Sequence, residues 1–194
     1  MTRLDEQIAF LLEADRLKGV LRRSKLADAS RRENSAEHSW HLALFAAILV
    51  EHAAEEVDLL RVMRMLIVHD LVEIDAGDTF AYDAEATLTK AQRERDAADR
   101  LFALLPDDQG REWRALWDEF EARDTPDARF AAAVDRLQPV LLNHASGGAA
   151  WVEHGITADQ VVAFNRHIEQ GAPELWEHAQ RVIAAATEAG HLRS

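Results

Sequence analysis

The sequence predicts an all-α protein, and three observations carry that expectation. Apolar residues recur at three- and four-residue spacing in segment after segment. Capping residues stand where several of these segments begin: Asn34 three residues before Glu37, Thr125 just before Pro126, and Thr157. No stretch of useful length alternates with period two, and there is no internal repeat. With 194 residues, 48% of them hydrophobic, the chain is long enough to bury a sizeable core as one domain over residues 1–194.

The first helix is expected over residues 2–16, with Thr2 as cap and Leu4, Ile8, Leu11 and Leu12 on its inward face. Gly19 ends it. Residues 19–34 show no sustained period and hold Arg22, Arg23, Lys25, Arg31 and Arg32, which reads as an ordered basic loop or, more plainly, a solvated charge run. A second helix starts at Asn34 and runs to about residue 50, with Leu42, Phe45, Ile48 and Leu49 inward. His38 lies one turn before Leu42, where the positive end of the helix dipole favours a neutral imidazole able to bind metal. A lone His on an apolar face is more often a core residue than a ligand, and His41 on the next face reads as a packing residue.

A central helix is expected over residues 58–74, with Val62, Met63, Leu66 and Ile67 at helical spacing. It ends in His69, Asp70 and Glu73, followed by Asp75, Gly77 and Asp78. In a helix, Asp70 and Glu73 are neighbours at i,i+3, and His69 and Glu73 at i,i+4. Such a run of charge at the end of an apolar helix is costly to bury unless it is paired or holds a metal. A solvated helix end accounts for this segment equally well when it is taken alone.

A charged helix follows over residues 89–105, with Ala98, Leu101, Phe102 and Leu105 inward, and another over 110–122, with Trp113, Leu116, Trp117 and Phe120. From Thr125-Pro126 a helix runs to about residue 144 with Phe130, Val134, Leu137 and Leu141 inward. Pro139 is expected to kink it, and Gly147-Gly148 to close it. Asp135 sits in the most apolar part of that helix and so needs a partner. The last two helices are expected over residues 157–170 and 173–187.

Composition narrows the function. Cysteine is absent, which excludes disulfides, thiolate zinc sites and a Cys nucleophile, so any metal must be held by His and carboxylate. The formal net charge is −13, from 35 acids against 22 Lys plus Arg, the wrong balance for a surface tracking polymeric nucleic acid. No apolar run approaches the roughly 20 residues that span a bilayer. The N-terminus lacks a signal-peptide pattern, so a soluble, cytoplasmic protein with no membrane partner is expected.

Four candidate ligands then stand on three helices: His38, the His69-Asp70 pair, and Asp135. Two imidazoles and two carboxylates suit one divalent ion of Mn, Fe, Co, Ni or Zn, with Mg less natural. A di-iron bundle would need two inward Glu-x-x-His pairs, and Glu188 with His191 is the sole such pair; the zincin motif is missing.

The segments ENSAEHSWH around His38, HDLVEIDAGD around His69 and AVDRLQP around Asp135 resemble the HD-domain superfamily of metal-dependent phosphohydrolases, most of all its 5'-deoxynucleotidase-like branch. The resemblance spans most of residues 17–145. It implies a helical domain of about seven or eight helices, with His38, His69, Asp70 and Asp135 on the metal. It also implies that Glu73 positions or deprotonates the attacking water, that Asp78 contacts the sugar or assists catalysis, and that Arg22 contacts the phosphate. The implied substrate is a (deoxy)nucleoside 5'-monophosphate, and the implied assembly a homodimer. Two departures fall where sugar and base would be read: Arg23 stands where relatives often carry Trp, and Thr79-Phe80-Ala81-Tyr82 lacks the branch's proline. Hydrolysis of another small phosphate ester or an alarmone-type nucleotide is the nearest alternative. A helical binding protein with a structural metal is the alternative of a different class.

Overall fold

The chain enters its first helix through a capping box. Thr2 accepts from the Asp5 amide while the Asp5 carboxylate accepts from the Thr2 amide, satisfying donors that a helix start would leave orphaned, and α1 (Arg3–Ala14) follows. The structure, a computed structural model, describes residues 1–78 and 84–193, apart from the side chains of residues 84–87.

After a 3₁₀ turn, Asp15–Gly19, the expected loop is in fact a short antiparallel hairpin of β1 (Leu21–Lys25) and β2 (Arg32–Asn34). Both strands are short and charged, so they carry no apolar alternation to announce them. The alternation is present in burial instead: Arg22 turns inward and Arg23 outward, as neighbours on a strand must.

Asn34 then caps α2 (Ser35–Leu49) in a reciprocal box with Glu37, and Asp58 caps α3 (Leu59–Val68). The central helix expected over 58–74 is not continuous. After Val68 the backbone tightens into a 3₁₀ turn, His69–Val72, and resumes as a single turn, α4 (Glu73–Ala76). Gly77 ends α4 at φ +73°, a conformation that costs glycine little, and this releases Asp78 from the helix.

The remaining helices are α5 (Ala84–Phe102), α6 (Asp107–Ala122), α7 (Pro126–Ala145), α8 (Ala149–His154), α9 (Ala158–Asn165), α10 (Ile168–Gly171) and α11 (Pro173–Glu188). α5 and α6 start earlier than their apolar stripes suggest. α8 was not expected, being too short for a period to show, and the helix expected over 157–170 is two pieces, α9 and α10. Gly171 lets α10 lie against α7, since a Cβ there would sit 2.1 Å from the Arg129 carbonyl oxygen.

α7 is the axis of the fold and runs through Pro139 without ending. Phe130, Ala131, Ala133, Val134 and Leu137 are buried on several sides of it, against Leu42 of α2, Leu66 of α3, Phe120 of α6 and Trp176 of α11. A second cluster joins Phe10, Val68, Phe102 and Trp117, and a third joins Val140, Trp151, Ile156 and Ile183. The stripe expected inward on α1 faces out: Leu4, Ile8, Leu11 and Leu12 are 47–69% exposed, and α1 meets the body through Phe10 instead. Ile48 and Ile67 are likewise exposed. Periodicity defines an apolar face but not what covers it. Among the described residues no helix is long and apolar enough to cross a membrane.

Candidate metal centre

Three helices deliver the candidate ligands to one point. α2 carries His38 in its first turn, the 3₁₀ turn after α3 carries His69 and Asp70, and α7 carries Asp135. His38 Nε2 lies 3.0 Å from Asp135 Oδ1, and His69 Nε2 lies 3.6 Å from the same oxygen and 3.0 Å from Asp70 Oδ1. Asp70 Oδ2 is 3.9 Å from His38 Nε2. One ligand atom each from His38, His69 and Asp135 can be chosen so that all lie within 4.8 Å of one another. All four residues are buried.

The far side of each ring fixes its tautomer. His69 Nδ1 is 2.8 Å from the Leu66 carbonyl oxygen, which can only accept, so Nδ1 carries the proton. His38 Nδ1 is 3.2 Å from Gln138 Oε1; Gln138 is oriented in turn because its amide nitrogen donates to Glu33 Oε1 at 2.7 Å. Each ring therefore turns Nε2 toward the carboxylates. Carboxylate oxygens and ring nitrogens crowd one point, and His69 Nε2 is buried without a hydrogen-bond partner among the described residues. A cation resolves that arrangement, and the donor set is the one borderline divalent metals take. Phe120 packs 4.9 Å from the His69 ring, and Trp117 Nε1 donates to the His69 carbonyl at 3.2 Å, so the 3₁₀ turn is held by α6.

The same field appears in the protonation equilibria. Burial opposes charge on His69, but Asp70 and Asp135 outweigh it and raise its pKa well above the ordinary value. Burial would raise Asp70, yet His69 and Arg22 hold it below the usual carboxylate range; Asp135 is likewise held well below against burial, by Arg136 and the two imidazoles. Glu73 differs. Burial, then the charge of Asp70, push it up to about 8. The Ser35 hydroxyl donates to its Oε2 at 2.6 Å. Asp78 is raised by burial as well, with Arg22 opposing.

Arg22 comes into the site from β1. Its Nη1 donates to Asp70 Oδ2 at 2.8 Å and its Nε lies 3.6 Å from Glu33 Oε2, so it is a buried, paired guanidinium and not part of a solvated charge run. Arg22, Arg23, His69, Asp70, Glu73, Asp78 and Asp135 all line one open cleft. The structure thus brings together all seven sequence-derived site residues, with His38 sealed beneath the others. Thr79, Phe80, Ala81 and Tyr82 lie outside the described residues.

Sequence reasoning missed the supporting polar groups. Gln138, Glu33 and Ser35 are all buried at 2% exposure or less, and each contacts a site residue. The signal for Gln138 was available, because it stands at i+3 from Asp135 and therefore shares its face of α7. Arg123 and Arg136, which also line the cleft, were missed too.

Comparison with known proteins agrees with this geometry. The model of a family described as HD domain matches residues 14–176. The protein named 5'-deoxynucleotidase HDDC2 in Danio rerio is 27% identical over 142 residues, 73% of this chain and 70% of that one. Its namesakes in Homo sapiens and Bos taurus are 28% and 29% identical over 136 residues, 68% of this chain and 65% of each of theirs. The chain thus matches just under two thirds of the length of the human and bovine relatives. A crystal structure titled as a predicted metal-dependent phosphohydrolase from Magnetospirillum magnetotacticum MS-1 superposes with a TM-score of 0.95 at 50% identity, over 99% of this chain and 96% of that one. A conserved hypothetical protein from Pyrococcus furiosus, at TM-score 0.64 and 19% identity over 93% of this chain and 99% of that one, shares the fold.

Proposed function

The chain belongs to the HD domain family, and on that premise we propose that it is a metal-dependent phosphohydrolase that releases phosphate from (deoxy)nucleoside 5'-monophosphates. The observation that carries the reading is the convergence of His38, His69 and Asp135 on one buried point, with Asp70 Oδ1 3.0 Å from His69 Nε2. The names of the relatives support the substrate class.

His38, His69, Asp70 and Asp135 would hold one divalent ion. Bound there, it would supply Lewis-acid neutralisation of phosphate charge and activation of water. Glu73 is the general base: its raised pKa gives it the proton affinity to take a proton from water near neutral pH, and Ser35 holds the carboxylate in place. Arg22 directs its guanidinium at the phosphate while keeping Asp70 oriented. Asp78, freed from α4 by Gly77, is the group for the sugar. Chelator-stripped protein screened for phosphate release across nucleoside monophosphates and added Mn, Co, Ni, Zn, Fe and Mg tests the reading and selects the metal.

The proposed assembly is a cytoplasmic homodimer. Trp40, Leu44 and Ile48 share one face of α2 at 46–67% exposure, apolar surface of the kind a second copy would cover. Light scattering behind size exclusion should give twice the chain mass, and Trp40→Lys should halve it.

A further inference from the structure

The cleft has a second cationic end that the hydrolytic residues do not use. Arg136 follows Asp135 on α7, and its guanidinium lies 4.3 Å from the centre of the Phe164 ring. Arg123, at the left-handed C-terminus of α6, lines the same cleft. Among the described residues, Nε of neither arginine has a hydrogen-bond partner, though both atoms are buried. The carboxylate nearest Arg136 is Asp135 Oδ2, at 3.7 Å. That carboxylate is the one a metal would claim. Glu121 also lines the cleft and attracts Arg123, yet among the described residues no carboxylate oxygen forms an ion pair with Arg123.

The two guanidiniums line one cleft, where like charges repel. Burial and then Arg136 lower the Arg123 pKa, and burial with the same two cations pushes the neighbouring His167 down to about 4. In a chain of net charge −13, two cleft-lining guanidiniums that share Asp135 with the metal site leave a place for a further anion.

The pair stands apart from the hydrolytic end. Asp135 lies between them, with Oδ1 toward the two imidazoles and Oδ2 toward Arg136. Arg22 pairs with Asp70 on the side where Glu73 and Asp78 add their charge to it. Beyond Arg136 the cleft continues along Trp151 and Asn143, whose Oδ1 is buried without a donor among the described residues.

We propose that Arg123 and Arg136 seat a second anionic group of the substrate, a phosphate or carboxylate carried by its leaving portion, so that the substrate is negatively charged at both ends. This rests on the phosphohydrolase reading for the first anion but is separable from it by experiment.

Binding is measured by calorimetry on the full metal-loaded chain in a Glu73→Gln background, where turnover is slowed by about 10²–10⁴-fold. The probes are a nucleoside 5'-monophosphate, the matching 3',5'-bisphosphate, and a 5'-monophosphate with a carboxylated base. At least one doubly anionic probe should bind about tenfold or more tighter than the monophosphate, as a charge-assisted contact supplies. Adding Arg136→Gln or Arg123→Gln should erase that advantage, and Arg123→Lys should restore part of it. An advantage confined to the bisphosphate assigns a phosphate, and one confined to the carboxylated base assigns a carboxylate. Equal affinity for all three probes, or variants that weaken all three alike, overturns the proposal. Phosphate release is read separately in the protein with Glu73 intact. If the binding advantage exists and depends on the two arginines but no probe is hydrolysed, the second-anion seat stands and the phosphohydrolase reading fails.

Discussion

Replacing Gln138 by Ala should loosen the metal centre without touching a ligand. Gln138 is fully buried on α7, one turn after Asp135, and ties three groups together: it accepts from His38 Nδ1, donates to Glu33 Oε1, and approaches His41 Nδ1 at 3.2 Å. Its removal leaves the His38 Nδ1–H without an acceptor and one oxygen of a buried carboxylate without a donor. Each unsatisfied buried group costs about 1–3 kcal/mol, so the variant should lose about 2–6 kcal/mol of unfolding free energy. The more telling effect is on the ion. With its Nδ1 partner gone, His38 can adopt the other tautomer or rotate, and outer-shell losses of this kind reduce metal affinity by about 10–100-fold. Denaturant unfolding of the stripped protein reads the first quantity, and titration against a competing chelator reads the second. Gln138→Glu keeps the shape but sets a second carboxylate against Glu33, so it should be damaging as well. A variant that loses stability while binding metal as tightly as wild type would show that Gln138 is only a core residue and that His38 is not oriented through it.

Three other outcomes follow. Glu73→Gln should retain bound metal and lose rate by about 10²–10⁴-fold, the range of general base catalysis; loss of metal would make Glu73 a ligand. Without metal the Glu73 pKa is raised from 4.5 to about 8, so the base is protonated at low pH and kcat/KM of the loaded enzyme should rise with pH along an acid limb that Glu73→Gln removes. An acid limb that persists unchanged in Glu73→Gln would contradict the assignment. Arg22→Ala should raise KM and also destabilise the fold by about 3–5 kcal/mol, because it breaks the ion pair with buried Asp70 and removes the cation beside Glu33; Arg22→Lys should recover part of both, and Arg23→Ala, at an exposed position of β1, should leave stability unchanged.

Much of this arrangement was legible in the sequence because it is local. Thr2, Asn34, Thr125 and Thr157 cap helices through bonds to residues three positions on, so their meaning is contained in a few letters. The candidate ligands were legible because charge and imidazole are conspicuous against apolar runs. What stayed hidden depends on contacts between distant segments. The outward stripe of α1 has the same period as an inward one. The 3₁₀ turn at His69–Val72 is held by Trp117 and Phe120 of α6, far along the chain, and no residue within it signals the tighter winding. The hairpin at β1 and β2 is carried by backbone pairing and by Arg22, not by apolar alternation. Glu33 and Gln138 look like ordinary polar residues until folding places them 2.7 Å apart beneath His38.

The most direct test of the account is phosphate release from a nucleoside 5'-monophosphate by chelator-stripped protein, before and after one divalent metal is restored, with Asp135→Ala measured alongside. The account predicts no release without metal, recovery at about one ion per chain, and neither recovery nor bound metal in Asp135→Ala. Release that proceeds in the stripped protein, or in Asp135→Ala, would contradict it.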